Sequence, residues 1–183
     1  INTDICLLIG FPFQVGINAT GSLTYEKLAV LANDTITGYH QRACYYDYKG
    51  RVIQTVERDT EDGILCTSKR YDFVGNVIAQ RESYTRTGKT DDIDRTFTYD
   101  DRGRLLSETT QVNGGELAVV DYEYDELGRL SGRMLGTVEE QSDYDIRSWL
   151  TEKSSELFDM SLGHSYTGNI TSWQWQHKGD PSG

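Results

Sequence analysis

A seven-residue unit recurs along the chain and limits what the chain can fold into. The unit reads Tyr-Asp-x-x-Gly, then Arg or in one copy Asn76, then Val or Leu, where x is variable. An Asp can bond backbone N–H groups two residues on, and a Gly can take a positive φ, so such a unit closes a short β-hairpin through a type I turn. Recurring hairpin tips predict an array of up-and-down strands.

Four copies begin at Tyr46, Tyr71, Tyr99 and Tyr124, and a degenerate fifth at Tyr144 has Ser148 for the glycine and Trp149 for the arginine. A partial sixth, Tyr166–Ile170, lacks the Asp and is two residues shorter. Successive tyrosines are 25, 28, 25, 20 and 22 residues apart. The predicted turn residues are Tyr46, Asp47, Gly50 and Arg51; Tyr71, Asp72 and Gly75; Tyr99, Asp100, Gly103 and Arg104; Tyr124, Asp125, Gly128 and Arg129; and Tyr144 and Asp145.

The flanking segments predict an all-β fold, a curved antiparallel sheet of consecutive β-hairpins. Apolar and polar residues alternate beside the heptads, and 12 Tyr, 18 Gly and only two Pro suit strands and turns. Turn residues at 59–63, 88–92 and 113–115 predict the opposite hairpin ends. We expect an N-terminal segment over 1–40 that leads into one continuous array over 41–183. Residues 23–31 suit a strand at least as well as a short helix.

Charge and hydropathy exclude several classes of partner. The chain has 18 basic and 29 acidic residues and a net charge of -11, which disfavours binding to nucleic-acid phosphates and to anionic membranes. The apolar run over 5–13 is far shorter than the roughly 20 residues that span a bilayer. The chain begins at Ile1 and not at Met, so the sequence leaves a secretion signal undecided.

The three cysteines cannot all pair within one chain. Reduced thiols packed as small apolar side chains are favoured over a bridge between Cys44 and Cys66, and the sequence leaves that pairing open.

On its heptads the sequence resembles the YD-repeat, or Rhs (rearrangement hot spot), family, over about residues 23–175. The stretch 44–54 is especially similar to the bacterial surface members. The resemblance implies a continuous sheet of hairpins that spirals into a large hollow shell. In bacterial members such a shell encloses a C-terminal toxin, and in animal relatives called teneurins it serves cell adhesion. It also implies a secreted or cell-surface protein whose partners are neighbouring repeats or a toxin cargo.

The length predicts only part of such a shell. About eleven strands spaced roughly 4.8 Å apart make a sheet some 50 Å wide. A wall around a cargo of ~100 residues needs a circumference of roughly 140 Å. No family core region with self-cleaving aspartates and no toxin domain follows the last repeat in this sequence. We therefore expect a fragment of a larger repeat shell.

Catalysis and metal binding find little support in the sequence. The series Asp47, Asp72, Asp100, Asp125 and Asp145 places one carboxylate on each hairpin tip, which favours turn capping over a converging calcium site. The acidic cluster over 91–94 is predicted as a solvated loop. Nucleophile elbows, zinc-helix motifs and nucleotide-binding loops are missing from the sequence, and the three His are widely spaced. We expect no enzyme activity, no metal and no cofactor.

Three tryptophans support an alternative function. Trp149, Trp173 and Trp175 could stack on sugar rings, although packing between hairpins is favoured. The alternative is a surface recognition module that binds a glycan or a protein partner. Burial of these rings against neighbouring hairpins favours the shell, and an exposed groove favours binding. The raw edges of a sheet fragment also predict edge-to-edge pairing into a homo-oligomer.

Overall fold

The structure is a computed structural model that describes residues 20–179, and it contains only strands and turns there. The thirteen strands are β1 (Tyr25–Ala32), β2 (Thr35–Tyr46), β3 (Val52–Arg58), β4 (Ile64–Tyr71), β5 (Val77–Arg86), β6 (Lys89–Tyr99), β7 (Leu105–Val112), β8 (Leu117–Tyr124), β9 (Leu130–Leu135), β10 (Val138–Tyr144), β11 (Leu150–Ser155), β12 (Phe158–His164) and β13 (Ile170–His177). About eleven were expected from residue 41 onward, and β1 and the first half of β2 lie before that residue. The predicted boundary at residue 40 falls inside β2 and stays a prediction.

The strands follow one another in chain order within a single sheet. Each consecutive pair from β1 to β6, and each from β8 to β13, is antiparallel. Since neighbours in sequence are neighbours in the sheet, each connection is a hairpin. The prediction of an all-β antiparallel array of consecutive hairpins is confirmed.

The chain divides into two compact units. The first consists of Ile1–Phe97 and Thr110–Leu117, and the second of Thr98–Thr109 and Ala118–Gly183. Within its described residues the first unit holds the hairpins of β1 to β6. The second unit holds the hairpins of β8 to β13.

A β-bulge marks the start of each heptad turn for which the pairing is described. The register shifts between Tyr45 and Tyr46 and again between Asp143 and Tyr144, so that the first heptad residue lies opposite the seventh. The same shift precedes Tyr71, Tyr124 and His164. A bulge increases local twist and re-aims the side chain that follows it. The first side chain of each heptad is therefore turned toward the adjacent hairpin.

The acidic cluster over 91–94 lies in a strand, and its prediction as a loop was wrong. The β5–β6 hairpin turns at Thr87 and Gly88, which both have positive φ, and β6 begins at Lys89. Asp94 lies opposite Arg81 on β5, and the two form an ion pair with two hydrogen bonds of 2.5 and 2.6 Å. A cross-strand cation thus makes an acidic residue compatible with the sheet.

Few side chains are buried, because the sheet is not covered by a second layer within the described residues. The buried apolar residues are Cys44, Tyr46, Cys66 and Ala79, all in the first unit. Cys44 lies opposite Thr55, whereas Cys66 lies opposite Val56, the next residue on β3. Successive residues of a strand face opposite sides, so the two thiols point to different faces and do not form a disulfide with each other. Cys6 lies outside the described residues.

Candidate functional site

The aspartate of each heptad organises its turn through one carboxylate oxygen. Asp47 Oδ1 accepts hydrogen bonds from the backbone N–H groups of Lys49 and Arg51, at 2.8 and 2.9 Å. The backbone closes the same turn, since Asp47 N–H donates to the Arg51 carbonyl at 2.9 Å. Asp100, Asp125 and Asp145 repeat this arrangement with the N–H groups two and four residues on. Asp72 instead accepts from Gly75 and Asn76.

The fifth heptad position is left-handed. Gly103 and Gly128 have φ of 79° and 84°, and Ser148 takes the same conformation with φ of 63°. Glycine adopts this conformation without the steric strain that a Cβ brings. The turn of the heptad that begins at Tyr144 therefore keeps the left-handed conformation, although Ser148 adopts it less readily than glycine does.

The sixth heptad is complete in structure, although the sequence suggested a shortened copy. Ser165 takes the aspartate position, because its N–H donates to the Asn169 carbonyl at 2.8 Å and its Oγ accepts from Asn169 N–H at 3.1 Å. His164 then takes the tyrosine position, opposite Ile170. Residues 164–170 are thus a full seven-residue turn, and sequence matching on Tyr166 was out of register by two.

Arginine at the sixth position ties three of the turns together. Arg51 Nε donates to Asp47 Oδ2 at 2.7 Å, and the pairs Arg104–Asp100 and Arg129–Asp125 repeat this contact at 2.6 Å. In the second heptad Asn76 Nδ2 donates to Asp72 Oδ2 at 2.9 Å. Both oxygens of the aspartate are therefore engaged within the turn.

The same arginines also contact the next hairpin of their unit. The guanidinium carbon of Arg51 lies 4.7 Å from the ring centroid of Tyr71, and Nη1 donates to the Asp72 carbonyl at 3.2 Å. Arg129 does the same with the Tyr144 ring at 4.8 Å and the Asp145 carbonyl at 3.0 Å. Arg104 stacks on Tyr124 at 4.6 Å. Cation–π contacts of this kind are worth about 0.5–2 kcal/mol.

The tyrosine completes the link through its hydroxyl. Tyr71 donates to the Val52 carbonyl at 2.7 Å, Tyr124 to Leu105 at 2.9 Å and Tyr144 to Leu130 at 2.9 Å. Each acceptor is the seventh residue of the preceding heptad. We call the set of arginine, stacked tyrosine and accepting carbonyl the inter-hairpin clamp.

The substitutions in the fifth heptad preserve a version of this clamp. Trp149 stands at the arginine position, and its ring lies 5.5 Å from that of His164, the residue at the next tyrosine position. Arg147 stacks on Tyr166 at 4.5 Å and donates to the Tyr166 carbonyl at 2.6 Å. Aromatic stacking and a displaced arginine replace the usual pair.

The described residues 20–23 resemble the end of a further heptad before the first predicted one. Tyr46 donates to the Leu23 carbonyl at 2.6 Å, which gives Leu23 the role of a seventh heptad residue, and Gly21, two residues earlier, has φ of 76°. Counted back in the sequence, this heptad would begin at Ile17, outside the described residues. Its Asn18 and Ser22 stand where Asp and Arg are usual, which is why the sequence pattern missed it.

The turn carboxyls have pKa values below their ordinary range. At Asp100 the largest cause is the hydrogen bond from Arg104 N–H, and the Arg104 guanidinium adds to it. At Asp145 the largest cause of the lowered pKa is the hydrogen bond from the backbone N–H of Trp149. At Asp47 the largest influence, burial, would raise the pKa, but the hydrogen bonds from the N–H and guanidinium of Arg51 and the N–H of Lys49 outweigh it. The turn therefore favours the ionised carboxylate.

The heptad carboxylates are arranged as turn caps. Within residues 20–179 no three His, Cys, Asp or Glu side chains are placed to share a metal ion. A concavity of about 420 Å³ lies in the first unit and is lined by groups such as His40, Arg42, Asp59 and Tyr84. Tyr84 donates to Asp59 at 3.2 Å, and Gly63 lies so close to both groups that it has no room for a side chain.

The three tryptophans occupy different environments. Trp149 is half-buried and lies against His164 and Gly168, where a Cβ would be 2.8 Å from its ring. Trp173 and Trp175 are 62% and 52% exposed on β13. Their ring centroids are 6.3 Å apart and their planes differ by 24°. The structure thus brings Trp173 and Trp175 together on one face and places Trp149 in the clamp.

Sequence reasoning treated the heptad residues as turn residues and missed the inter-hairpin clamp. The sequence did carry a signal for the clamp, because an arginine at the sixth position of one heptad is followed by a tyrosine at the first position of the next.

Among residues 20–179 there is no helix with the length and apolar character needed to span a membrane.

Part of the chain matches a known repeat family. Residues 99–134, which hold the third and fourth heptads, match the RHS repeat family. A comparison with curated proteins found no match. Among solved structures the chain is similar to "Crystal Structure of TcdB2-TccC3-TEV", with 14% identity and a TM-score of 0.43. It is also similar to TcdB2-TccC3 without its hypervariable C-terminal region, with 13% identity and a TM-score of 0.43.

Each of these similarities covers 76% of this chain and 10% of the other, so the chain spans about a tenth of those neighbours. The family match covers two of the heptads, and the same turn geometry recurs in the others. Residues 99–134 are thus a segment that matches RHS repeats, and the turns on either side of it are similar.

Proposed function

We propose that this chain is a non-catalytic wall segment of a secreted or surface-displayed bacterial YD-repeat protein. With neighbouring repeats it forms part of a hollow shell that encloses a C-terminal toxin cargo. The observation that carries the proposal is the inter-hairpin clamp. It joins consecutive hairpins of each unit by side chains as well as by strand pairing, which suits a continuous wall.

The use of the heptad side chains supports a structural role. Asp100 is engaged by two backbone N–H groups and by Arg104, and Tyr124 by Arg104 and the Leu105 carbonyl. Groups that hold a turn in this way are not poised to exchange protons with a substrate. Turnover of any substrate in a hydrolase panel, lost on substitution of an acidic residue of this chain, would overturn the non-catalytic assignment.

Protease protection tests the encapsulating role. The experiment uses the longer polypeptide that contains this segment, together with its isolated downstream domain. We expect the domain to resist protease inside the intact protein and to be digested alone. The double variant Arg104→Ala, Arg129→Ala should weaken two clamps and speed digestion of the enclosed domain.

Arg102→Ala is the matched control. Arg102 lies at the tip of the third turn, where its backbone N–H contacts Asp100. Loss of the Arg102 side chain should leave the protease resistance of the enclosed domain unchanged. Equal digestion of the free domain and of the domain in the intact protein would contradict the shell.

Exposure of Trp173 and Trp175 favours a second candidate, a recognition module for glycans. The two indole rings are nearly parallel and more than half exposed, and exposed aromatic faces of this kind pack on sugar rings. A glycan array should then show binding that Trp173→Ala and Trp175→Ala abolish and the Phe variants retain in part. An array without any bound glycan would reject this candidate and leave the shell proposal standing.

A further inference from the structure

Two Asn-x-Thr motifs lie within the described residues, and they occupy turns of very different kinds. The first covers residues 33–35 and the second covers residues 169–171. Asn-x-Ser or Asn-x-Thr, where x is not proline, is the acceptor motif for attachment of a sugar to the asparagine amide on a surface loop. A third motif begins at Asn18, outside the described residues. The structure therefore allows a comparison of two acceptor motifs in one chain.

The first motif lies at the tip of the β1–β2 hairpin, which extends past its neighbour in the sheet. β2 pairs with β3 only from Gln41 onward, so among the described residues 35–40 pair with β1 alone. Asn33 and Asp34 have positive φ and reverse the chain, and they are exposed, as is Thr35. Thr35 Oγ1 donates to the Asn33 carbonyl, which leaves the Asn33 side-chain amide without a hydrogen-bond partner among the described residues. This motif is open to an enzyme.

The second motif is held within the sixth heptad turn. Asn169 N–H donates to Ser165 Oγ at 3.1 Å, and the Asn169 carbonyl accepts from Ser165 N–H at 2.8 Å. The Asn169 amide donates to Thr167 Oγ1 at 3.4 Å, and Arg147 stacks on Tyr166 of the same turn. A transferase that takes Asn169 into its active site must first open this turn, which costs free energy.

An exposed apolar pair lies beside the first motif. Leu31 and Ile36 are cross-strand partners near the end of the hairpin, and they are 66% and 52% exposed. Adjacent exposed apolar side chains promote unwanted association. A sugar on Asn33 would add hydroxyl groups next to this pair and shield it. Because the sugar would lie at the turn, the strand edges would stay free to pair with neighbouring repeats.

We propose that Asn33 is an N-glycosylation site of the folded chain, and that Asn169 is not one while its turn is closed. The donor is a sugar activated as a nucleoside diphosphate, because a soluble donor and enzyme can reach the hairpin of a folded chain. The side-chain nitrogen of Asn33 forms a bond to the anomeric carbon of the sugar, and the bond from that carbon to the diphosphate breaks. The nucleoside diphosphate leaves, and one amide proton passes to the transferase. This inference goes beyond the wall proposal and does not depend on it.

Incubation of the folded 183-residue chain with UDP-glucose and a soluble asparagine glycosyltransferase tests the proposal. Peptide mass spectrometry then assigns any added hexose to one of the three motifs. We expect a hexose on the peptide that contains Asn33 and none on the peptide that contains Asn169. This comparison within the natural chain does not depend on the folding of any variant.

Thr35→Ser and Thr35→Val form a matched pair of variants. The serine keeps the hydroxyl of the motif and should keep the modification, whereas the valine keeps the branched shape without the hydroxyl and should lose it. Asn33→Gln should lose it as well, and circular dichroism checks that each variant is folded. An unmodified Asn33 in the natural chain, equal modification of Asn33 and Asn169, or a hexose retained by Thr35→Val would each overturn the proposal.

Discussion

Single residues decide whether the heptad turn closes, and the left-handed fifth position is the clearest case. Gly103 and Gly128 have similar φ but different surroundings. A Cβ at Gly103 would meet nothing within 4 Å, whereas a Cβ at Gly128 would lie 3.3 Å from Arg104 Nη1. Gly128 is therefore required by backbone conformation and by the guanidinium that passes beside it.

We predict that Gly103→Ala lowers the free energy of unfolding by about 1–2 kcal/mol, the cost of a left-handed non-glycine residue. Gly128→Ala should lower it further, because its methyl group crowds Arg104 where the guanidinium stacks on Tyr124. Urea denaturation of both variants measures the difference. Equal losses would show that Arg104 moves aside freely.

The fifth heptad offers a stabilising substitution. Ser148 has φ of 63°, and its Oγ accepts only a long hydrogen bond of 3.4 Å from Arg129. Ser148→Gly should raise the free energy of unfolding by about 0.5–1 kcal/mol, because the strain of the left-handed serine is removed. Ser142→Gly, inside β10, should have the opposite sign, and thermal unfolding of the pair gives both signs.

The heptad pattern points to this local chemistry only where Asp and Gly are present. It did not reveal Ser165 in the aspartate role or His164 in the tyrosine role. Serine hydroxyls and asparagine or aspartate carbonyls cap turns in the same way, but Ser is too common in sequence to mark a turn by itself. Tyr166 therefore drew the alignment away from the true start of the turn.

At the scale of the hairpin, the tyrosine hydroxyl is a bond between elements. Tyr144→Phe removes its hydrogen bond to the Leu130 carbonyl and keeps the ring under Arg129. We predict a loss of about 1 kcal/mol in the free energy of unfolding. Tyr122→Phe is the control, because the Tyr122 hydroxyl has no hydrogen-bond partner among the described residues, and denaturant titration should show almost no change for it. A similar loss in both variants would count against the bond.

The stacked arginine links two hairpins, and a double-mutant cycle isolates that link. Arg129 pairs with Asp125 inside its own turn and stacks on Tyr144 of the next. Arg129→Gln and Tyr144→Leu, alone and combined, should give a coupling energy of about 0.5–1 kcal/mol in denaturant titrations. The same cycle with Arg102 in place of Arg129 should give none. Additive effects in the first cycle would contradict the clamp.

The clamp could not be predicted from the turn chemistry that predicted the hairpins. Its partners, such as Arg51 and Tyr71, are separated by a full pair of strands, and their meeting depends on the bulge that precedes each tyrosine. Bulges depend on pairing between strands and leave no fixed signature in one strand's sequence. The prediction of a loop at the acidic cluster over 91–94 was wrong for a related reason. These residues lie in β6, and the ion pair of Asp94 with Arg81 forms only once β5 and β6 are paired.

At the scale of the whole chain, the sheet over residues 20–179 lacks the thick apolar core of an ordinary domain. Buried polar groups such as Asp47, Gln54 and Ser68 accompany the few buried apolar ones. Strand pairing, turns and clamps therefore carry a larger share of stability than in a two-layer fold. Composition predicted the strands correctly, but it could not predict this distribution of burial, because apolar content does not specify which faces are covered.

This reliance on turns makes stability depend on pH in a defined direction. The pKa values of Asp100 and Asp145 are lowered in the folded chain, chiefly by the N–H groups of Arg104 and Trp149. Unfolded aspartate titrates near about 4. The unfolded chain therefore binds protons first as the pH falls. The stabilisation is complete above the unfolded value and is lost as the pH falls through the lower, folded values.

Asp100→Asn tests this at one turn. The amide oxygen still accepts N–H bonds but cannot ionise, so the variant should be less stable near neutral pH and should lose less stability than the natural chain on acidification below about pH 4. Asp101→Asn, one residue along the same turn, should follow the natural chain. Thermal unfolding across acidic pH gives the three curves. Parallel curves for Asp100→Asn and the natural chain would place the acid sensitivity outside the heptad turns.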